Sequence, residues 1–528
     1  MNRDRLILLI LSTLLFIPFL GSVHLFDWDE INFAESAREM LQTGNWWQVT
    51  INFEPFREKP PLFFWMQALS MSVFGVGEFA ARLPNAICGI ITLQVMYSIG
   101  LKWQNRGFAW AWVLLYIGSV LPHLYFKSGI IDPWFNLFIF LSVYHLFITV
   151  EQGDTESLKH AAIAGLFSGL AILTKGPVGF LLLLLTFLVW WVFNRLKKPA
   201  KWQSILVFAL CVFFTSSIWF GYETLQNGPW FLVEFIQYQV ELLLHPVAGH
   251  KQPFFYHFLV VLLGCFPMSI IALSAFKKSF LGDDHALSTW MKYLFWIVLI
   301  LFSVVTTKIV HYSSMTYLPL SYLAALVAVR HLETAQIKKW QFWCIGIQGN
   351  LLASVFIAVP ILLMKKESWI HLVSDPFAAG NLSAPVSWLG WEWMIGVLFL
   401  VVIAASLRVK KSAPKRAFVL LTIGSALVIS SLMVVIVPIV EGYSQRSAIQ
   451  FFEEHQNENA YFETFKYKSY SNYFYGRVSL KSMSPQTADV HYIVCKVQHI
   501  PKLMEKNYEL EHLYDQGGFS FYHKLKTP

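Results

Sequence analysis

The residues best equipped for chemistry in this chain are carboxylates and cations placed among aromatic and apolar neighbours. Asp29 and Glu30 follow Asp27-Trp28, and Arg57-Glu58-Lys59 precede Pro60-Pro61. Further along come Asp132-Pro133, Lys175-Gly176-Pro177, His250 with Gln252, and Lys308 with His311-Tyr312. A carboxylate so placed can take a proton from a hydroxyl or orient it. Fixed cations can neutralise an anionic group as charge develops. Each residue also has a plainer explanation. Asp29 and Glu30 suit the first turn of a helix, although a cap needs only one of them. An interfacial Lys59 can snorkel, but beside Glu58 and two prolines it loses less ordering entropy on binding phosphate. Lys175 reads as a cation at the amino end of a span, a conflict that a bound anion would resolve. Asp132-Pro133 is an ordinary helix start, and Lys308 an interfacial anchor. The histidine spacing around His250 matches no strong metal motif.

These residues must be positioned by membrane helices. Of 528 residues, 56% are hydrophobic and only 14% charged, against about 25% charged in soluble domains. Charge-free stretches at 135–150, 178–194, 205–222, 351–364 and 419–440 read as spans. The net charge of +8 sits in short loops, as the positive-inside bias requires. It forms no stripe or stacking platform, so nucleic acid is excluded as a partner. Four of the five cysteines fall in apolar spans and read as core residues. Arg3 and Arg5 before 6–20 could mimic a signal peptide, but the run lacks a small-x-small site and reads as a retained first span.

The stretch 62–74 decides the topology. A helix there is roughly 22 Å long, short of a hydrocarbon core of roughly 30 Å. Treated as interfacial, it leaves the basic loops around Lys102, Lys159, Arg195, Lys277, Arg330 and Arg408 on one side. The expectation is a mainly α, polytopic membrane protein with about thirteen spans: 6–23, 83–101, 108–125, 133–150, 160–173, 177–194, 202–222, 255–276, 290–307, 313–330, 340–363, 388–407 and 417–438. The amino terminus is inside and the carboxyl terminus outside. The transmembrane domain covers 1–440, with a first outer loop at 24–82 that carries interfacial helices. Asp27 opens one of these, with Phe33, Ala37, Met40 and Leu41 on one face, Glu35, Arg38 and Glu39 opposite, and Trp46 and Trp47 as headgroup anchors. Residues 441–528 read as a small α/β domain on the outer face, with a helix at 446–455, an alternating run at 489–497 and a hairpin turn at 515–518.

Threaded this way, the polar residues singled out above gather on the outer face. Their sequence contexts also resemble a known family. Asp29-Glu30 with Phe33-Ala34-Glu35 and Ala37-Arg38-Glu39-Met40, then Glu58-Lys59-Pro60-Pro61-Leu62 and Phe79-Ala80-Ala81-Arg82-Leu83-Pro84, resemble the bacterial aminoarabinose/mannosyl transferase family. Thr174-Lys175-Gly176-Pro177, Gly249-His250 with Gln252-Pro253-Phe254, Lys308 with His311-Tyr312, and Tyr473-Phe474-Tyr475-Gly476-Arg477 are similar too. These are polyprenyl-phosphate-dependent glycosyltransferases of the GT-C fold.

The resemblance implies transfer of a sugar from a polyprenyl-phosphate donor such as an undecaprenyl-phosphate sugar. The acceptor would be an envelope lipid (lipid A-like), protein or glycan, at the outer face of the bacterial inner membrane. It implies catalysis by Asp29, with Asp132 and Glu30 alongside, and donor phosphate on Lys59, Lys175, Lys308 and Arg57. Glu58, His250, Gln252, His311 and Tyr312 would bind substrate. No cofactor is required, and a divalent metal is compatible with the chemistry. The chain departs from the family at Asn32-Phe33, where Arg-Tyr is usual, and at Phe56-Arg57, where Tyr-Phe is usual. Those changes would alter hydrogen bonding around the sugar or acceptor, with Arg57 replacing the missing cation. A transporter or flippase would instead place its charges at the bilayer midplane in paired broken helices. A non-catalytic scaffold gives no reason for the Lys and Asp set.

Overall fold

Backbone groups in lipid must be satisfied within their own segment, and this chain meets that demand with helices. In a computed structural model it is described over residues 3–525, apart from 152–156, 197–199, 245–251, 278–285, 335–337 and 411. Among the described residues eight helices are long and apolar enough to cross a membrane. They are Glu78–Trp103, Asp132–Glu151, Ser157–Lys175, Trp202–Asn227, Ala286–Val304, Val310–Thr334, Lys339–Met364 and Pro414–Glu441. The stretch 255–276, expected as one span, is two helices, Tyr256–Gly264 and Met268–Phe276, bent by 109°. Pro267 stands at the break, where it supplies no N–H to continue the ladder. The expected span 108–125 is also divided, into Arg106–Ile117 and Val120–Tyr125. Gly118 lies at that break, and a Cβ there would stand 2.5 Å from the Thr422 carbonyl oxygen. Val178–Phe193 and Met394–Val409 are apolar but shorter.

The first loop holds the helices Asp29–Thr43 and Leu62–Phe74, joined by a two-stranded ribbon pairing Thr50–Ile51 with Glu54–Pro55. Leu62–Phe74 has 13 residues, roughly 20 Å of helix, too short to cross. Asp29–Thr43 ends at Gly44, whose φ of 72° lets its N–H reach the Met40 carbonyl. This helix was expected to keep a polar face in water. It is instead wrapped by protein, with every residue from Glu30 to Met40 buried. Arg38 makes paired 2.7 Å bonds to both oxygens of Glu35 and a further one to the Val478 carbonyl. The Glu39 carboxyl accepts from the Thr50 hydroxyl and the Phe53 N–H. Trp46 and Trp47 anchor to protein: their carbonyls accept the indole N–H groups of Trp65 and Trp219.

One buried ion pair fastens this loop to the helices. Glu30 accepts from Arg82 Nε at 3.1 Å and Nη2 at 2.8 Å. The remaining guanidinium donors go to the carbonyls of Leu20, Val23 and His24. Glu30 also accepts from the backbone N–H groups of Phe26 and Gly129. The carbonyls of Ser128 and Ile130 accept from Asn85, and Gln67 donates to the carbonyls of Ala81 at 2.9 Å and Gly129 at 3.5 Å. The turn 128–131 that leads into Asp132 is thus held from three elements.

Beyond the last long helix the chain forms a four-stranded sheet in the order 460–465, 490–496, 519–524, 510–516. The first pair is parallel and the other two are antiparallel. Gly517 and Gly518 have φ of 57° and 78°, as a two-residue hairpin turn requires. The helix Arg446–Glu454 packs Phe451 against Phe462, Tyr492 and Phe521 of the sheet.

Two stability predictions follow from the loop. Arg82→Met strands the Glu30 carboxylate and is expected to cost about 3–5 kcal/mol, whereas Arg82→Met with Glu30→Gln recovers part of that loss, as thermal melting in detergent will show. Glu39 is pushed up to about 8, first by burial and then by Glu35. Its folded state therefore holds a proton that the unfolded chain has released. The stability this proton contributes is full below the ordinary carboxylate range and is lost as pH rises toward about 8. Glu39→Gln removes that slope between pH 5 and 8 in melts run against wild type.

Candidate active site

Four side chains from four elements meet at one end of the long helices. Asp29 opens the first-loop helix, Asp132 opens Asp132–Glu151, Lys175 closes Ser157–Lys175, and His311 lies in the turn at the start of Val310–Thr334. Lys175 Nζ is 2.5 Å from Asp132 Oδ1. His311 Nε2 is 3.4 Å from Asp29 Oδ2 and 3.9 Å from Asp132 Oδ2. The imidazole therefore bridges two carboxylates of unequal access: the Asp132 side chain is 6% exposed and that of Asp29 30%. Tyr312 lies 5.2 Å beneath the Lys175 ammonium and Phe135 at 5.6 Å. Behind them Tyr125, Asn136 and Ser314 form a buried hydrogen-bonded group.

Lys175 differs from its expected placing. It is the last residue of its helix, where the dipole favours a cation, and Gly176 with φ of 88° ends the turn. Its strongest partner is Asp132, so the conflict read from the sequence is absent. Lys59 is half-buried and donates to the Glu58 carbonyl at 3.4 Å. Burial lowers its pKa, opposed by Glu58; Lys175 pushes the same way as burial, while Asp29 and Asp132 act against it. Both lysines and both aspartates thus share one electrostatic neighbourhood. Glu58 belongs to it too, acting on Tyr312 and Tyr470.

Other expected residues go elsewhere. Glu30 is adjacent to Asp29 but is buried, with its carboxylate engaged by Arg82, Phe26 and Gly129. Arg57 stacks on Trp230 at 4.4 Å and faces Glu234 at 3.8 Å. Lys308 is buried with its ammonium on the Val305 carbonyl at 2.7 Å. Gln252 is exposed, and His250 lies outside the described residues. The family departures Asn32 and Phe33 are both buried, Phe33 in an aromatic nest with Phe63 and Phe64. They alter the packing of the loop helix instead of lining the cluster.

Sequence reasoning missed the wall contributed from beyond residue 441. Asp27 accepts hydrogen bonds from Ser469 and the Tyr470 backbone. Trp28 packs edge-on against Tyr470 at 4.8 Å, and Lys468 Nζ sits 4.7 Å over the same indole. The aromatic pattern of 467–475 was the available signal. Chemically, the cluster offers an accessible carboxylate held by an imidazole, next to two ammonium groups. It can accept a proton from a hydroxyl, or orient one, beside a bound anion.

The chain is similar to known proteins in sequence and in fold. The family model described as dolichyl-phosphate-mannose-protein mannosyltransferase matches residues 58–219. The chain is 28% identical over 331 residues to the undecaprenyl phosphate-alpha-4-amino-4-deoxy-L-arabinose arabinosyl transferase 1 of Proteus mirabilis, covering 61% of this chain and 59% of that protein. It is 26% identical over 337 residues to the corresponding transferase of Shewanella sediminis, covering 62% and 60%. The matched stretch thus spans about three fifths of the length of these curated relatives. The crystal structure of ArnT from Cupriavidus metallidurans bound to undecaprenyl phosphate superposes with a TM-score of 0.79 at 16% identity, covering 98% of this chain and 97% of that one. In sequence over about three fifths of its length and in fold through nearly all of it, the chain is similar to the aminoarabinose and mannosyl transferases that its first-loop motifs resemble.

Proposed function

We propose that the protein transfers a sugar from a polyprenyl-phosphate donor to an envelope acceptor at the outer face of the inner membrane. The observation that carries this reading is the Asp29–His311–Asp132–Lys175 cluster beside Lys59, in a fold shared with a protein crystallised with undecaprenyl phosphate. Its nearest chemical analogy is aminoarabinose transfer, the activity named for the relatives from Proteus mirabilis and Shewanella sediminis. The acceptor class comprises lipid A-like glycolipid, protein and other glycans.

In this reading the bond between the anomeric carbon and the phosphate oxygen breaks as a bond to the acceptor oxygen forms. The leaving group is the polyprenyl phosphate, with Lys59 and Lys175 opposite its growing charge. Asp29 takes the proton of a hydroxyl acceptor, or orients an acceptor that is already ionised. His311 fixes the Asp29 carboxylate and Asp132 fixes Lys175, so the reacting groups need little reordering. Glu58 and Tyr312 complete the sugar-facing surface. No step requires a metal ion.

The topology belongs to the same proposal. Eight long helices, the bent pair, the shorter helices Arg106–Ile117, Val178–Phe193 and Met394–Val409, and the amino-terminal Arg3–Phe16 supply thirteen crossings when Leu62–Phe74 is left in the interface. That arrangement puts the amino terminus in the cytoplasm and residues 441–528, as a separate outer domain, in the periplasm.

The test uses purified full-length enzyme in detergent with a defined polyprenyl-phosphate sugar, plus mass spectrometry of envelope lipids and glycoproteins to identify the acceptor. Asp29→Asn is expected to lower turnover about 10²–10⁴-fold. Lys59→Ala and Lys175→Ala are each expected to lower it about 10²–10³-fold, with folded protein retained. Turnover at the wild-type rate in Asp29→Asn would reject the assignment. Arg57→Ala, whose guanidinium is engaged with Trp230 and Glu234, is expected to change turnover by less than about tenfold. A loss as large as that of Lys59→Ala would return Arg57 to the phosphate site.

A further inference from the structure

A second group of ionisable side chains lies where the residues beyond 441 meet the first loop, and the reaction proposed above makes no use of it. His24 ends the turn whose carbonyls Arg82 holds, Glu78 opens the helix Glu78–Trp103, and Glu453 lies in the helix Arg446–Glu454. One ligand atom from each falls within 4.8 Å of the other two. His24 Nδ1 is 3.2 Å from Glu441 Oε1, and Glu441 is itself fully buried and anchored through its other oxygen by Arg446 at 2.6 and 2.8 Å. A carboxylate on Nδ1 fixes the tautomer that carries its proton there and leaves the Nε2 lone pair free. That lone pair points toward Glu453 Oε2 at 3.8 Å.

This distance is too long for a hydrogen bond. It is close to the roughly 3.3 Å that separates two ligands bound 2.0–2.1 Å from one tetrahedral zinc. A carboxylate behind a histidine, with the opposite ring nitrogen facing further carboxylates, is the outer-shell arrangement that orients metal-binding imidazoles. Two further side chains flank the cluster. Arg477 acts on Glu78 and Glu453 electrostatically; its Nη2 donates to the Val76 carbonyl, its guanidinium lies over Phe474, and its buried Nη1 makes no hydrogen bond. Tyr475 packs edge-on against His24 at 5.5 Å and lies within hydrogen-bonding reach of Glu78.

We propose that His24, Glu78 and Glu453 bind one divalent transition-metal ion of the zinc class, with Glu441 as the residue that orients His24. An imidazole with two carboxylates suits zinc better than magnesium or calcium, which take all-oxygen sets. Three protein ligands leave a fourth position for water. Because the ligands come from the first loop, a membrane helix and the helix under the outer sheet, the ion acts as a cross-link. It pins residues 446–454 to the turn at His24.

The experiment is metal analysis of purified full-length protein in detergent, stripped with chelator and titrated with zinc chloride, with cobalt(II) absorption as a geometric readout. Wild type is expected to retain about one zinc per chain and to show the visible bands of low-coordinate cobalt. His24→Ala and Glu453→Gln should each weaken binding at least about tenfold, and Glu441→Gln by about 10–100-fold. Glu58→Gln should bind zinc as wild type does, which separates this site from the reaction centre. Zinc should also slow proteolysis within residues 441–528 in wild type and leave it unchanged in Glu453→Gln, a variant that keeps the side chain's size. No bound zinc in wild type, or equal affinity in His24→Ala and Glu453→Gln, would overturn the proposal and leave His24 as an ion-pair partner only.

Discussion

The Glu30–Arg82 pair is the constraint on which the rest of this molecule depends. An arginine has five N–H donors and no acceptor, and here its donors go to one carboxylate and three backbone carbonyls. Both partners are withdrawn from solvent, an arrangement that holds only when every lone pair and proton is matched. Burial alone would raise the Glu30 carboxyl, but the charge and hydrogen bonds of Arg82 more than offset it, so the group is lowered and stays ionised. The same carboxylate reaches Gly129, three residues before Asp132, while its own neighbour is Asp29. One side chain therefore sets the separation of the two aspartates that face His311.

Much of the site was legible because its signals are local. Asp132 before Pro133 and Lys175 before Gly176-Pro177 announce helix ends, and ends on one side of a membrane lie near each other. The shortness of Leu62–Phe74 was legible as well, from the prolines before it and Gly75 after it. The pairing of Lys175 with Asp132, 43 positions apart, was not legible, and neither was the roughly perpendicular bend at Pro267. Glu30 and Asp29 look alike in sequence because both suit a first helical turn; only the distant Arg82 separates a structural carboxylate from an accessible one. Arg57 shows what sequence neighbours leave out: it follows Phe56 and precedes Glu58, yet its guanidinium lies over the distant Trp230.

The two departures from the family pattern in the loop helix have a common physical reading. Asn32 and Phe33 face into protein, where a guanidinium and a phenol would each need a buried partner. Phe33 instead stacks edge-on against Phe63 and Phe64, carried by the non-spanning helix. The packing of the two first-loop helices is thus apolar at this point.

Trp28 and Tyr470 close one flank of Asp29 with two aromatic rings supplied from opposite ends of the chain. A sugar whose anomeric carbon is losing its phosphate reacts with any oxygen nucleophile in reach, and water is the most abundant. Closing an active site against water suppresses that side reaction. For the reaction proposed above, the aromatic flank bears on fidelity: the two rings shield the Asp29 side from the water that would squander an activated sugar by hydrolysis.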